Sequence, residues 1–235
     1  MSPQCGSIGI GLRATVSEVI VAEAEASCRL YAVVEAGPNA AERLAAGLAA
    51  AEIASVLIVP AAKSTGDAAG AKLLVEQAQQ AGAAALILGD APLARALRAD
   101  GVHLGPQKDL GRAFENAKAT LGQRGIIGVD VGISRHDAMT LAEHGADYVA
   151  FGAPAHLTDR EKARVRRNDL IAWWAEIFEV PCVAFDVETP AEAEELAQAG
   201  ADFVAVTLPA GQPPAAVRTL VGAIAAAIRA GAPAS

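Results

Sequence analysis

From Arg29 onward the chain alternates short apolar runs with longer stretches in which apolar positions recur every three or four residues. The apolar runs are Leu30–Glu35, Ser55–Val59, Ala84–Leu88, Gly101–Leu104, Ile126–Val131, Asp147–Phe151, Pro181–Phe185 and Asp202–Thr207. Most are continuously apolar, which fits parallel strands covered on both faces. The stretches between them predict helices at Asn39–Ala51, Ala91–Arg98, Leu110–Leu121, Ser134–Glu143, Leu170–Phe178, Ala191–Ala199 and Ala215–Arg229. Several end in Gly and a small residue before the next strand, as in His144-Gly145-Ala146-Asp147 and Ala199-Gly200-Ala201-Asp202. Glycine there takes the left-handed conformation that ends a helix. The shared Gly-Ala-Asp-aromatic-Val-Ala reads as a repeated unit.

Eight strand–helix units suit either an open doubly wound sheet or a closed barrel. Glu35-Ala36-Gly37-Pro38 follows the first strand where a dinucleotide-binding sheet carries Gly-x-Gly-x-x-Gly. The units are also short and similar, and eight close a sheet without edges. The expectation is therefore a single (β/α)₈ barrel over 29–235, preceded by an N-terminal extension, 1–28. The longest irregular stretch is expected at about Gly152–Asp169, after strand six.

With 53% hydrophobic residues the chain can fill a sizeable core, much of it Ala. A net charge of −8 excludes a nucleic-acid binder dominated by basic residues. It suits a cytoplasmic protein whose partner is a small molecule. Three scattered cysteines form neither a disulfide framework nor a zinc site. No stretch reads as a membrane span or a targeting peptide.

In such barrels chemistry sits at the C-terminal ends of the strands. Candidates there are Lys63, Asp90, His103, Asp109, Asp130, His156, Asp186, Glu188 and Thr207. Asp90 and Asp109 follow adjacent strands and either share a Mg²⁺ ion or cap the helices behind them. The basic run Arg160, Lys162, Arg164, Arg166 and Arg167 suits a phosphate or carboxylate ligand, or else is a solvated loop or helix start. His103 and Asp130 interrupt apolar strands, so each is a structural hydrogen-bonding group or part of a site. Of Trp173 and Trp174, one is expected on the barrel and the other against a neighbouring subunit.

Several segments in order resemble thiamine-phosphate synthase and its sister thiazole tautomerases. They are Arg29–Val33, Leu86–Asp90, Ile126–Val129, Gly145–Gly152, Gly200–Val206 and, most specifically, Ala99-Asp100-Gly101-Val102-His103-Leu104-Gly105. The resemblance implies joining of hydroxymethylpyrimidine diphosphate to thiazole phosphate, with release of pyrophosphate and use of Mg²⁺. It places the metal on Asp90 and Asp109 and makes Lys63 the diphosphate-binding lysine. Lys63, on the resemblance, and Asp130, on its place within an apolar strand, are the catalytic candidates. Lys63, His103, Arg160, Lys162, Arg164 and Thr207 are the candidates for holding substrate and phosphate. Related barrels associate, so a homodimer is expected.

The sequence also departs from that family. Val59 and Ala61 replace the Gln and Arg that precede the lysine. Gly89 and Ala91 replace the Asn and Arg flanking Asp90. Asp130-Val131-Gly132-Ile133 stands in place of a Ser/Thr-x-His segment, and Asp186-Val187 in place of a phosphate-receiving Gly-Gly. These departures admit an alternative, a degenerate or repurposed barrel that binds a phosphorylated or heterocyclic ligand.

Overall fold

The structure is a computed structural model and describes residues 28–60, 67–153 and 158–232. The predicted extension over 1–28 lies almost wholly outside them.

Eight parallel strands close into a barrel in the order β1 to β8. They are β1 (Arg29–Glu35), β2 (Ile53–Val59), β3 (Ala84–Leu88), β4 (Gly101–Leu104), β5 (Ile126–Gly132), β6 (Tyr148–Phe151), β7 (Cys182–Ala184) and β8 (Phe203–Leu208). The helices between and after them are α1 (Ala40–Leu48), α2 (Asp67–Gln80), α3 (Ala91–Leu97), α4 (Leu110–Leu121), α5 (Arg135–Glu143), α6 (Arg160–Ile177), α7 (Pro190–Gln198) and α8 (Pro214–Gly231). All eight predicted strands are present, and the sheet is closed, as the short equal units required.

Alternate strand residues point inward. Tyr31, Leu57, Leu86, Tyr148, Ala150, Val183 and Ala205 fill the barrel, while the intervening residues pack outward against the helices. A polar chain crosses this interior. Tyr31 and Tyr148 share a hydrogen bond of 2.9 Å between hydroxyls, and Tyr148 Oη lies 2.8 Å from His103 Nδ1. Tyr148 fits because its ring lies over Gly128, where an added Cβ would come within 1.9 Å of the ring. Gly128→Ala is therefore expected to displace the ring and cost about 2 kcal/mol or more, by overpacking and loss of the polar chain. Urea denaturation measures it.

The repeated Gly-Ala-Asp segments do one job. Gly145 and Gly200 take positive φ, 93° and 91°, and end their helices. Each following Asp then turns its carboxylate to the neighbouring strand. Asp147 Oδ2 accepts from Ile127 N at 2.7 Å, and Asp202 Oδ2 accepts from Cys182 N at 2.7 Å. Asp100 does the same for Ala85 N, also at 2.7 Å.

Two expectations are corrected. The stretch 160–169 is not irregular, because α6 begins at Arg160, with the Asp159 carboxylate accepting from Lys162 N at 3.0 Å. And α8, with 18 residues of mean hydropathy 1.2, is long and apolar enough to cross a membrane by length and composition. Here its Val217, Val221, Ile224 and Ile228 are buried against the barrel. Trp174 is buried, stacked on Phe178 at 4.0 Å and donating to Val180 O. Trp173 is half-buried, and the Arg135 guanidinium sits 4.4 Å from its ring centroid. Burial pushes the Cys28 and Cys182 thiols up to about 12, which makes them poor nucleophiles.

Candidate active site at the barrel mouth

The C-terminal ends of the strands carry a ring of polar groups, set by the local chemistry of each turn. After β3, Asp90 caps α3, its Oδ1 accepting from Leu93 N at 2.8 Å, with Pro92 just inside the helix. This leaves its second oxygen open. After β4, Asp109 stands at the same position ahead of α4 but makes no side-chain cap bond. Both are exposed. Among the described residues the adjacent turns thus present one half-engaged carboxylate and one without a hydrogen bond.

Asp130 lies at a register shift between β5 and β6, where a bulge re-aims the strand tip. Its Oδ1 accepts from Gly132 N at 2.8 Å. Burial, helped by the charge of Asp186, raises its carboxyl to about 6, against the opposing Gly132 bond. Because this pKa lies above the unfolded value, the folded state holds the proton more tightly. Stability from this group is full below the unfolded value and is lost as pH rises from about 4 through 6. Asp130→Asn is expected to raise stability above pH 7 by about 2 kcal/mol and to change it little below pH 4. Thermal unfolding across that range checks the sign.

His103 is 1% exposed and lies beneath this ring, held by Tyr148 and stacked on Phe185 at 5.0 Å. Desolvation lowers its pKa to about 3, so it is neutral at physiological pH. Thr207 is exposed on β8, paired with Val33 of β1. Lys63 and His156 lie outside the described residues.

The basic run is sorted by helical geometry. Arg160, Arg164 and Arg167 share one face of α6 at i, i+4 and i+7 and turn toward β7. Arg160 donates to Ala153 O and, at 3.0 Å, to Glu188, and Arg164 also donates to Glu188. The Arg164 Nε lies 3.0 Å from Glu192 Oε1 as an ion pair without hydrogen-bond alignment. Arg167 is fully buried and donates to Phe185 O at 3.0 Å and Asp186 O at 2.9 Å. Lys162 and Arg166 face the other way and line a cavity of about 390 Å³ with Ile133, Thr158, Asp159 and Ala163. The sequence grouped Arg160 with Lys162 and Arg164, and the structure separates them. Two further cavities open around Arg29 at the opposite end of the barrel, away from this polar ring.

Sequence reasoning missed Arg43. It is 2% exposed, and its guanidinium donates to Glu35 O and Leu208 O, both at 2.8 Å, clamping the ends of β1 and β8. Nothing in an Ala-rich helix distinguishes it beforehand. It also missed Glu188 and Glu192 as partners of the basic run.

A closed (β/α)₈ barrel with carboxylates and cations gathered on one rim defines the class, the fold in which sites characteristically lie at the strand ends. The family model described as thiamine monophosphate synthase matches residues 30–209. A thiamine-phosphate synthase of Rhodospirillum centenum is 41% identical over 185 residues, covering 76% of this chain and 87% of that one. One of Erythrobacter litoralis is 45% identical over 57% of this chain and 64% of its own length, just under two thirds. Among solved structures, thiamine phosphate pyrophosphorylase from Pyrococcus furiosus superposes with a TM-score of 0.69 at 22% identity, over 86% of this chain and 96% of that one. Tryptophan synthase of Mycobacterium tuberculosis gives 0.67 at 16%, over 91% and 97%. At such identities these two show the shared fold. The chain belongs to the thiamine monophosphate synthase family.

Proposed function

We propose that this barrel joins hydroxymethylpyrimidine diphosphate to thiazole phosphate. In that reaction the bond from the pyrimidine methylene carbon to the diphosphate oxygen breaks, a bond from that carbon to the thiazole forms, and pyrophosphate leaves. The observation that carries the reading is the pair of exposed carboxylates, Asp90 and Asp109, on adjacent strand ends of a chain matched by this family's model. No group of three or more His, Cys, Asp or Glu side chains that could hold a metal exists among the described residues. Two carboxylates still suit Mg²⁺, which keeps waters and takes phosphate oxygens for its other positions. Asp90 has one oxygen left after capping and Asp109 has both, so the donor set fits.

When bound, the ion supplies positive charge for the leaving pyrophosphate. The chain's own residues do the remaining work. Asp90 and Asp109 would hold that ion and through it set where the diphosphate lies. Lys162 and Arg166, turned away from the acidic partners, are placed to neutralise a phosphate. Lys63 belongs to this assignment by family resemblance. Thr207, near the C-terminal end of β8, offers a hydroxyl across the same rim. His103 serves from beneath, through Tyr148, as a positioning residue. Asp130, poised to gain or lose a proton near pH 6, is the catalytic acid–base candidate. A cytoplasmic setting and a homodimer go with this reading, on likeness to related barrels alone. Its test is turnover of purified protein with the two substrates and Mg²⁺, following thiamine phosphate and pyrophosphate. Absence of product from folded protein, beside a working control enzyme, would leave a repurposed barrel as the better reading.

A further inference from the structure

The rim between β6 and β7 is built like an anion site. A backbone N–H at Ala153 and the guanidinium groups of Arg160, Arg164 and Arg167 converge within one turn of the strand tips. Every one of these groups is already engaged. Asp186 Oδ2 accepts from Ala153 N at 2.9 Å. Glu188 uses one oxygen for Arg160 and the other for Arg164, bridging the two as a phosphate would. Glu192 neutralises the far side of Arg164 and lies 3.9 Å from Arg167. Arg167 spends its Nη1 on the two carbonyls at the end of β7.

The occupants are held where they are. Asp186 sits at φ 57°, a left-handed conformation that costs a non-glycine residue energy. Its carboxylate packs over Gly152, where a Cβ would come within 2.7 Å of Oδ2. Glu188 is steadied from behind, since Glu192 Oε2 accepts from Glu188 N at 2.7 Å and from Thr189 N at 3.3 Å. Three carboxylates therefore balance three guanidinium groups, and among the described residues Asp186 Oδ1 is the oxygen of the three that has neither a hydrogen bond nor an ion-pair partner. An arriving phosphate would meet that charge and would have to displace Glu188. An uncharged group that donates a hydrogen bond, such as a hydroxyl, would be accepted.

We propose that Asp186 and Glu188 are specificity-determining residues, which fill the anion positions between β6 and β7 so that this corner admits a neutral hydrogen-bond donor and turns phosphate away. Phosphate is thereby left to the Lys162–Arg166 face of the same helix. The inference concerns the mouth whatever reaction it carries, so it stands or falls separately from the synthase reading.

The experiment is a titration with inorganic phosphate, without Mg²⁺, followed on the backbone amide of Ala153 by nitrogen-15 NMR. The protein carries Lys162→Ala and Arg166→Ala, which removes the competing cationic face. In that background the Ala153 amide is expected not to respond. Adding Asp186→Gly and Glu188→Gln is expected to produce a saturable shift there and to tighten phosphate binding about tenfold or more, as removal of two like charges beside the ligand requires. Glu188→Gln alone alters one exposed side chain, keeps the fold, and is expected to give a smaller gain of the same sign. A saturable Ala153 response in the background protein would overturn the proposal, as would no gain in either variant.

Discussion

Asp109→Ala is expected to lower kcat/KM for thiamine phosphate formation by about 10²-fold or more while leaving the thermal midpoint almost unchanged. The reasoning is that of charge placed against a developing anion, where loss of one element of preorganised stabilisation costs about two to three powers of ten. The stability half follows from the geometry. Asp109 is exposed and makes no cap bond to α4, so its removal breaks no side-chain hydrogen bond among the described residues. Asp90 provides the contrast. Its Oδ1 holds Leu93 N, so Asp90→Ala is expected to lose about 1 kcal/mol of stability along with activity. Asp90→Asn keeps a capping oxygen and is expected to lose activity alone. Steady-state kinetics across a Mg²⁺ series, beside thermal unfolding, separates the two effects. An Asp109→Ala enzyme with normal kcat/KM would remove that carboxylate from the site.

Arg167→Leu is expected to destabilise the protein by about 3–4 kcal/mol, the range found when one partner of a buried charged network is removed. The substitution leaves Phe185 O and Asp186 O without their donor in a region where the arginine is 0% exposed. It also leaves the Glu192 carboxylate facing one guanidinium fewer. Arg167→Lys restores a single donor and is expected to recover part of the loss. Glu188→Ala, on the exposed side of the same network, is expected to cost far less than Arg167→Leu, since exposed ion pairs contribute little. Urea denaturation of the three variants orders them. Equal costs for Arg167→Leu and Glu188→Ala would show that the buried guanidinium is not the anchor of the β7 end.

Much of the architecture could be read from the chain because both of its signals are local. A continuous apolar run of four to seven residues predicts a strand covered on both faces, and Gly at the end of several helices marks where the next strand begins. Asp130 announced itself in the same way, as a charge inside an apolar strand. The pairings at the rim were hidden because they are not local. Arg160 meets Glu188 across 28 positions, and Arg43 meets Leu208 across 165. Nothing in a run of five cations tells which will turn to which side until the helix is known to start at Arg160. Asp90 and Asp109 look alike in sequence, each one residue before a helix. Only the turn geometry gives the first a cap bond and leaves the second without one.

The three aspartates at the foot of the barrel carry an implication for how the chain assembles. Each one ties a strand to its immediate predecessor, β4 to β3, β6 to β5 and β8 to β7, over separations of only 15, 20 and 20 residues. The closing seam between β8 and β1 has a different join, a backbone bond from Arg29 N to Asp202 O at 2.9 Å. Short loops close early and at low entropic cost, whereas the seam must bring together the two ends of the barrel. The barrel is thus modular by twos, with paired strand–helix units latched locally before the ring shuts. A circular permutant opened between two such pairs keeps every latch local, and one opened inside a pair turns one of them into a contact that closes only with the ring.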